Sequence, residues 1–456
     1  MLSNNMYVDM EEKIWKIIDG WRTKGITISD SLRSVLYLLT LKKMFKESIG
    51  NVSEEDSQTI IKYLSPMFLG AEVEDYNELL VNSGKLIEER YGLQAGFFSN
   101  FFADMSNLEP WKETLNVSIK KIMDMPDAEE DVISDVIKKI MLKVFLPEFR
   151  MASVISSSSV AELLKVIVNV QDGDKFCDGT VGCGISAVEC VRGTDASIQG
   201  MDSKIFVLQI AALYMILSGI KKFKLKVGDF TLEPSMRKYS KIAMDIPFAA
   251  KTGDYIGEQL AICDKWLNGA QGKDLDVLIV AKALDVLEEE GRAALTVPNS
   301  FLSRSGKASK ILREKIIEKN MLKAVISLPA VHSEPSVRSS ILLLEKNDDK
   351  IQFIDMDSIQ MPSFQKNRRE VRSLTPDGKK KLLYLLETGE QIKGISALVE
   401  VQKVKENEFD FSPIKYVAVK EKLVFRDIQT INNDLKVLRE ELEEIESENS
   451  KMKLFN

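Results

Sequence analysis

The chain has 456 residues, 45% of them hydrophobic and 29% charged. That mix supports two or three folding units with sizeable cores and excludes wholesale disorder. The formal net charge of -7 argues against a stand-alone DNA reader, because such proteins gain most of their affinity by neutralising phosphates; a subunit whose partner carries the basic surface remains compatible.

Residues 1–145 read as a helical N-terminal domain. Ile14, Trp15, Ile17, Ile18 and Trp21 form one amphipathic stripe. Leu32, Val35, Leu36, Leu39, Met44 and Phe45 form a second, with Ser29 and Asp30 as candidate caps. Asn51 to Ser57 is a polar break, and further helical patterns surround Tyr76 to Arg90 and Ala128 to Phe145. Glu11, Glu12 and Lys13 stand early and are unlike a secretory signal.

The pattern changes in residues 146–400. A serine run, Ser156 to Ser159, precedes a helical stretch, Val160 to Val168. Lys175 to Cys177, Ser197 to Met201, Lys224 to Val227 and Ile242 to Met244 read as strands, separated by helical stretches. Asp276 opens a helix expected to run to Glu290. Ala293 to Val297, Ala324 to Leu328 and Ser340 to Leu344 are later strands. Such alternation predicts an α/β domain with a mostly parallel, Rossmann-like sheet, to which the later elements can add an antiparallel strand. Ile205 to Ile220 is too short to span a membrane and reads as a buried helix, so a cytoplasmic protein with no membrane partner is expected.

Residues 401–456 read as a C-terminal extension. Val424, Ile428, Ile431, Leu435, Leu438, Leu442, Ile445, Asn449 and Met452 step alternately by four and three residues. That is a coiled-coil seam over about 424–452, which needs a second helix, from this chain or from a partner.

Cys177, Cys183, Cys190 and Cys263 form no CxxC pair and read as buried thiols. His332 is the single histidine and reads as structural, so neither a metal site nor a histidine-centred triad is expected. The basic runs Lys221, Lys222, Lys224, Lys226 and Lys366, Arg368, Arg369, Arg372 read as solvated faces.

Chemistry concentrates at Phe176 to Gly184, F-C-D-G-T-V-G-C-G. A strand ends at Asp178, and Gly182 and Gly184 permit a tight turn into a helix whose N–H groups can meet an anion. Asp178 can hold a ligand's ammonium. Asp202 lies 18 residues past Gly184, near the spacing at which an acid hydrogen-bonds ribose hydroxyls. Asp229, after a third strand, can accept from an adenine amino group. Three acids at successive strand ends suit a nucleoside cofactor carrying positive charge.

The fourth element, Ala243 to Phe248 (A-M-D-I-P-F), makes the resemblance specific. It is similar to the (Asn/Asp/Ser)-Pro-Pro-aromatic motif of N6-adenine amino-methyltransferases. I-W-K-I-I-D-G-W-R (Ile14 to Arg22), G-R-A-A-L-T-V-P-N-S-F-L (Gly291 to Leu302), A-V-I-S-L-P (Ala324 to Pro329) and E-N-E-F-D-F-S-P-I-K-Y-V (Glu406 to Val417) extend the likeness nearly end to end. The whole resembles modification subunits of type I restriction systems.

The resemblance implies S-adenosylmethionine (SAM) as methyl donor, held by Ser156, Asp178, Gly179, Gly182, Gly184, Asp202 and Asp229. Asp245 and the Ile246 carbonyl would accept the target amino group, and Pro247 and Phe248 complete the motif, with the Phe248 ring stacking on an extruded base. It implies double-stranded DNA as substrate, a specificity subunit docked on the C-terminal helix, and in some systems a restriction-translocase subunit. Ser156 and Ser157 stand where the family has Thr-Pro, Gly179 where it has Pro, Cys183 and Ile185 where it has a small residue and Gly, and Ile246 where it has the first Pro. Those departures leave open a catalytically degenerate subunit acting as scaffold or DNA-binding component.

Overall fold

The computed structural model describes residues 2–51, 55–69, 76–100, 111–146, 155–248, 250–329, 338–347, 350–356, 363–366, 369–372, 375–417, 432–433 and 435–443. The chain divides into two units, Met1–Val417 and Ala418–Asn456.

The first unit begins with helices α1 (Leu2–Arg22), α2 (Ile28–Gly50), α3 (Glu55–Phe68), α4 (Tyr76–Tyr91), α5 (Trp111–Met123) and α6 (Glu130–Phe145). Their apolar stripes face inward: Ile14, Ile18, Trp21, Leu32, Val35 and Leu36 are buried. Buried polar groups are satisfied locally. The Trp21 indole donates to the Ser118 hydroxyl at 2.7 Å, and the Tyr37 hydroxyl donates to the Leu80 carbonyl at 2.9 Å. The cap of α2 is Thr27, not Ser29 or Asp30: its hydroxyl accepts from the Asp30 amide at 3.2 Å. Asp30 instead sits in the first turn, where its charge meets the positive helix end. The polar break is shorter than expected, because Glu55 and Asp56 already supply the first turn of α3.

The α/β part follows as α7 (Ser158–Val168), β1 (Lys175–Asp178), α8 (Ile185–Val191), β2 (Ser197–Asp202), α9 (Ile205–Leu217), β3 (Phe223–Val227) and β4 (Tyr239–Asp245). It continues with α10 (Glu258–Leu267), α11 (Leu275–Val286), β5 (Leu287–Pro298), α12 (Asn299–Ser303), α13 (Lys307–Glu318), β6 (Leu322–Ser327) and β7 (Ser339–Leu344). Last come β8 (Lys350–Asp355), β9 (Ser363–Lys366), β10 (Arg369–Arg372), α14 (Pro376–Thr388), β11 (Ser396–Glu400), α15 (Val401–Glu406) and α16 (Ile414–Val417).

Among the described residues, nine strands form one sheet in the order β11-β8-β6-β7-β5-β4-β1-β2-β3. Strands β3, β2, β1, β4 and β5 are parallel, and β7 lies antiparallel between β5 and β6. One core joins the N-terminal helices to α7, α8 and α9 on one face. A second core covers the other face with α10, α11 and α13. Helix α9 is buried along most of its length and apolar all round, as an element enclosed on every side must be.

Helix α11 ends at Val286, four residues before Glu290. Leu287 leaves it to pair with Tyr239 at the start of β5, so sheet pairing outcompetes the helix propensity of Glu288 to Glu290. Strands β8 and β11 and the β9–β10 hairpin were not anticipated; β8 and β11 are short, bounded by Lys or Glu, and defined by their partners more than by their own pattern.

All four cysteines are free and buried. Among the described residues no helix is long and apolar enough to cross a membrane. In the second unit, residues 435–443 are helical, with Leu435, Leu438 and Leu442 exposed. The remaining seam positions Val424, Ile428, Ile431, Ile445, Asn449 and Met452 lie outside the described residues, as do His332 and Arg368.

Candidate active site

Four strand ends meet along one edge of the sheet. Strand β1 delivers Asp178, then turns through Gly182 (φ 52) and Gly184 (φ 85) into α8. Both glycines adopt the left-handed region that a side chain disfavours. Gly184 also packs closely on α9: a Cβ there would lie 3.3 Å from the Ala211 Cβ. The Val181 amide donates to the Met201 carbonyl at 2.9 Å, which ties the turn to β2.

Asp178 is almost wholly buried, with only 1% of its surface exposed. The Thr180 amide and hydroxyl donate to its Oδ1 at 3.0 and 3.4 Å. Burial pushes its carboxyl up to about 7, and the nearby Asp245 and Asp202 carboxylates push the same way. Asp202 is half-buried and accepts from the Lys204 amide at 2.9 Å and from the Gly182 and Ser203 amides. Burial raises its carboxyl as well, against those N–H groups. The Gly228 amide donates to the Asp202 carbonyl at 3.0 Å, which places Asp229 beside it at the end of β3. Asp229 is exposed, and its Oδ1 accepts from the Thr231 amide at 2.8 Å and hydroxyl at 2.7 Å.

Strand β4 ends at Asp245, which is half-exposed. The Ile246 side chain is 1% exposed and belongs to the second core, whereas Pro247 and Phe248 stay half-exposed. Thr180 donates to the Asp245 carbonyl at 3.5 Å, linking the ends of β1 and β4. Asp202 and Asp245 are thus each brought within electrostatic reach of Asp178, with Asp229 and Phe248 on the same edge. Ser156 is half-buried one residue before Ser157, whose hydroxyl caps α7 by accepting from the Val160 amide at 3.3 Å. Among the described residues no hydrogen bond joins Ser156 to the carboxylates.

Local packing accounts for two departures in the motifs. The Phe230 ring lies against Gly179, where a Cβ would come 2.3 Å from Phe230 Cγ, so no residue larger than glycine fits without displacing the ring. Ile246 turns into the core, so an apolar side chain suits its place. Two residues of the site escaped sequence reasoning. Thr180 lies inside the glycine turn and was legible as a hydroxyl beside an acid. Gln259, on α10, donates to the Thr231 hydroxyl at 2.7 Å and to Asp229 Oδ2 at 3.4 Å, and nothing in its sequence neighbourhood marks it.

The donor set fits a cationic nucleoside. Asp178, Asp202 and Asp229 make no ion pair among the described residues, and burial first, then the Asp245 and Asp202 carboxylates, hold Asp178 partly protonated near neutrality.

A sheet of this order, with helices on both faces, is the α/β fold of solved methyltransferase subunits. The chain belongs to the N-6 DNA Methylase family, whose profile matches residues 131–423. The type I restriction enzyme MpnII methylase subunit of Mycoplasma pneumoniae is 34% identical over 173 residues, 36% of this chain and 30% of that protein. The MjaVII methylase subunit of Methanocaldococcus jannaschii is 23% identical over 354 residues, 72% of this chain and 59% of that protein. The chain therefore spans less than two thirds of either relative's length.

Among solved structures, the type I restriction-modification methyltransferase subunit of Streptococcus thermophilus superposes with a TM-score of 0.72 at 17% identity, covering 91% of this chain and 99% of that one. A chain from a type I restriction-modification system solved for its complex assembly gives 0.65 at 16% identity, covering 96% of each. Both share the fold.

Proposed function

We propose that the chain is the modification subunit of a type I restriction-modification-like complex, transferring a methyl group from SAM to adenine N6 in double-stranded DNA. The observation that carries this reading is the buried Asp178 carboxylate at the end of β1, which feels Asp202 at the end of β2 and Asp245 at the end of β4, on the edge that also carries the half-exposed Phe248 ring.

Asp178 would hold the ammonium of the donor's amino-acid part, Asp202 the ribose hydroxyls and Asp229 the adenine amino group. Ser156 would stand at the rim of this pocket. Bound there, SAM supplies an electrophilic methyl group on a sulfonium. An aromatic amine is a poor nucleophile because its lone pair is delocalised into the ring. Hydrogen bonds from the target amine to the Asp245 carboxylate and the Ile246 carbonyl favour a tetrahedral nitrogen, and the accepting atoms orient its lone pair. Phe248 stacks on the base, worth roughly 1–3 kcal/mol. Positioning supplies most of the rate, and no histidine is needed.

Target reading falls to a specificity subunit, docked on the C-terminal helix through the exposed Leu435, Leu438 and Leu442. A restriction-translocase subunit would complete a nuclease complex. A net charge of -7 suits a chain that shares its DNA contacts with a partner.

The test is methyl transfer from labelled SAM to duplex DNA by the chain with its specificity partner. Phe248→Ala should abolish transfer while leaving SAM affinity within about twofold; full activity in that variant would remove the base platform. Calorimetry that finds no SAM binding by the wild-type chain would favour the degenerate, scaffolding subunit instead.

A further inference from the structure

Opposite the carboxylate edge, where the parallel strands begin, the chain gathers positive charge from three separate segments. Lys175 opens β1, Lys221 and Lys222 precede β3 and Lys224 stands in it, and Arg237 and Lys238 precede β4. These six side chains are exposed and line an open cleft of about 610 Å³, whose lining includes no acidic residue. The basic run at 221–226 is therefore more than a solvated face. Its first three lysines are joined by Lys175, 46 residues before Lys221, and by Arg237, 13 residues after Lys224. Lys226 takes no part and pairs instead with Glu233.

Only part of this charge is neutralised internally. Lys222 pairs with Asp195 at 2.9 Å and Lys175 with Glu288 at 3.2 Å. The Lys238 ammonium donates to the Asp285 carbonyl. Lys221, Lys224 and Arg237 have no carboxylate partner among the described residues. Arg237 donates one N–H to Gln199 Oε1 at 2.9 Å and is hydrogen-bonded to the Tyr239 hydroxyl, which steadies a guanidinium that has five N–H donors in all.

The floor decides what kind of anion fits. Phe176, Phe223 and Tyr239 are buried, at 0%, 5% and 7% exposed, and present no ring on which an unpaired base could stack. Cations without stacking platforms suit phosphates whose bases are already paired. We propose that this cleft binds the phosphodiester backbone of double-stranded DNA, independently of sequence, at a second surface separate from the methyl-transfer edge. Asp178 and Lys175 stand at opposite ends of β1, about 10 Å apart along the strand, so the two surfaces do not overlap. A second duplex contact on an acidic chain would let the subunit retain DNA while its target base is exchanged at the other edge. The inference does not depend on SAM binding.

The experiment is fluorescence anisotropy of a labelled 30-base-pair duplex titrated with the full chain across a salt series. Lys221→Ala, Lys224→Ala and Arg237→Ala combined should weaken binding roughly tenfold or more and lower the salt slope by about 2–3. A control with Lys380→Ala, Lys393→Ala and Lys405→Ala removes as much charge from exposed positions elsewhere and should change neither. All substitutions are at exposed side chains, and an unchanged melting temperature confirms folding. Absence of duplex binding by the wild-type chain at low salt, equal loss in the control, or an unaltered slope in the triple variant overturns the proposal. So does stronger binding of single strands, or displacement of duplex by inorganic tripolyphosphate at equal phosphate concentration, which would mark a small-anion site.

Discussion

Gln259 donates to the Thr231 hydroxyl at 2.7 Å, and Thr231 in turn donates to Asp229 Oδ1 at 2.7 Å. The Gln259 amide also reaches Asp229 Oδ2 at 3.4 Å, so one buried side chain on α10 steers both oxygens of the acid at the end of β3. If Asp229 receives the adenine amino group, Gln259 is a positioning residue for the cofactor. Gln259→Leu should raise the KM for SAM roughly tenfold, the equivalent of about 1.4 kcal/mol, with kcat little changed. Gln259→Glu should do worse, since it sets a second carboxylate against Asp229. Steady-state kinetics with both variants checks the split, and a fall confined to kcat would reject the role.

If Asp178 holds the donor's ammonium, it carries the pH dependence of SAM binding. Its carboxyl titrates at about 7, so near neutrality the free site is partly protonated, whereas a bound ammonium requires the ionised form. SAM affinity should fall as pH drops below 7, by up to roughly tenfold per unit. Calorimetry from pH 5.5 to 8.5 in buffers of different ionisation enthalpy reads both the affinity and the proton released, and a flat profile would count against the assignment. The stability of the free chain moves the other way. A folded-state pKa above the unfolded value of 3.8 means that the folded chain holds the proton more tightly, so this group's contribution is fully favourable below about 4 and is lost as pH rises to about 7. Asp178→Asn should therefore raise Tm at pH 8 and leave it nearly unchanged at pH 4.

Gly179 and Phe230 are coupled by contact. Gly179→Ala would drive a Cβ to within 2.3 Å of the Phe230 ring and should destabilise the chain by about 1–3 kcal/mol. With Phe230→Ala in place, the extra methyl group finds room. The double variant should be less destabilised than the sum of the singles, by at least about 0.5 kcal/mol in urea unfolding. Additivity would mean that the ring does not set the identity of residue 179.

Leu435, Leu438 and Leu442 are 49%, 59% and 56% exposed on a described helical stretch. Leu438→Glu should leave the stability of the isolated chain within about 0.5 kcal/mol, as exposed substitutions do. Co-purification with the specificity subunit should be lost in the same variant. Retained assembly would move the docking surface elsewhere.

Much of this was written in local pattern. The glycine turn after Asp178, the acids after β2 and β3, and the D-I-P-F segment after β4 are strand-end features, visible because each follows an apolar run. The buried helix α9 was legible from its composition alone. Long-range relations were not. The cap at Thr27 depends on a backbone turn, β5 takes Leu287 from a helix because Tyr239 waits in the neighbouring strand, and β11 exists only as a partner of β8. The role of Gln259 is set by a helix packing back over β3, and the basic cleft by segments that meet only when the sheet closes.

The antiparallel place of β7 has a consequence for the nascent chain. The ribosome releases β5 and β6 before it releases the strand that must lie between them. Once Pro298 has emerged, the carboxylate edge can already assemble from β1 to β5, yet one flank of β5 offers unpaired amides and carbonyls until Leu344 follows. Through that interval of synthesis an open strand border faces the crowded cell, a template for unwanted pairing that chaperones would be expected to shield.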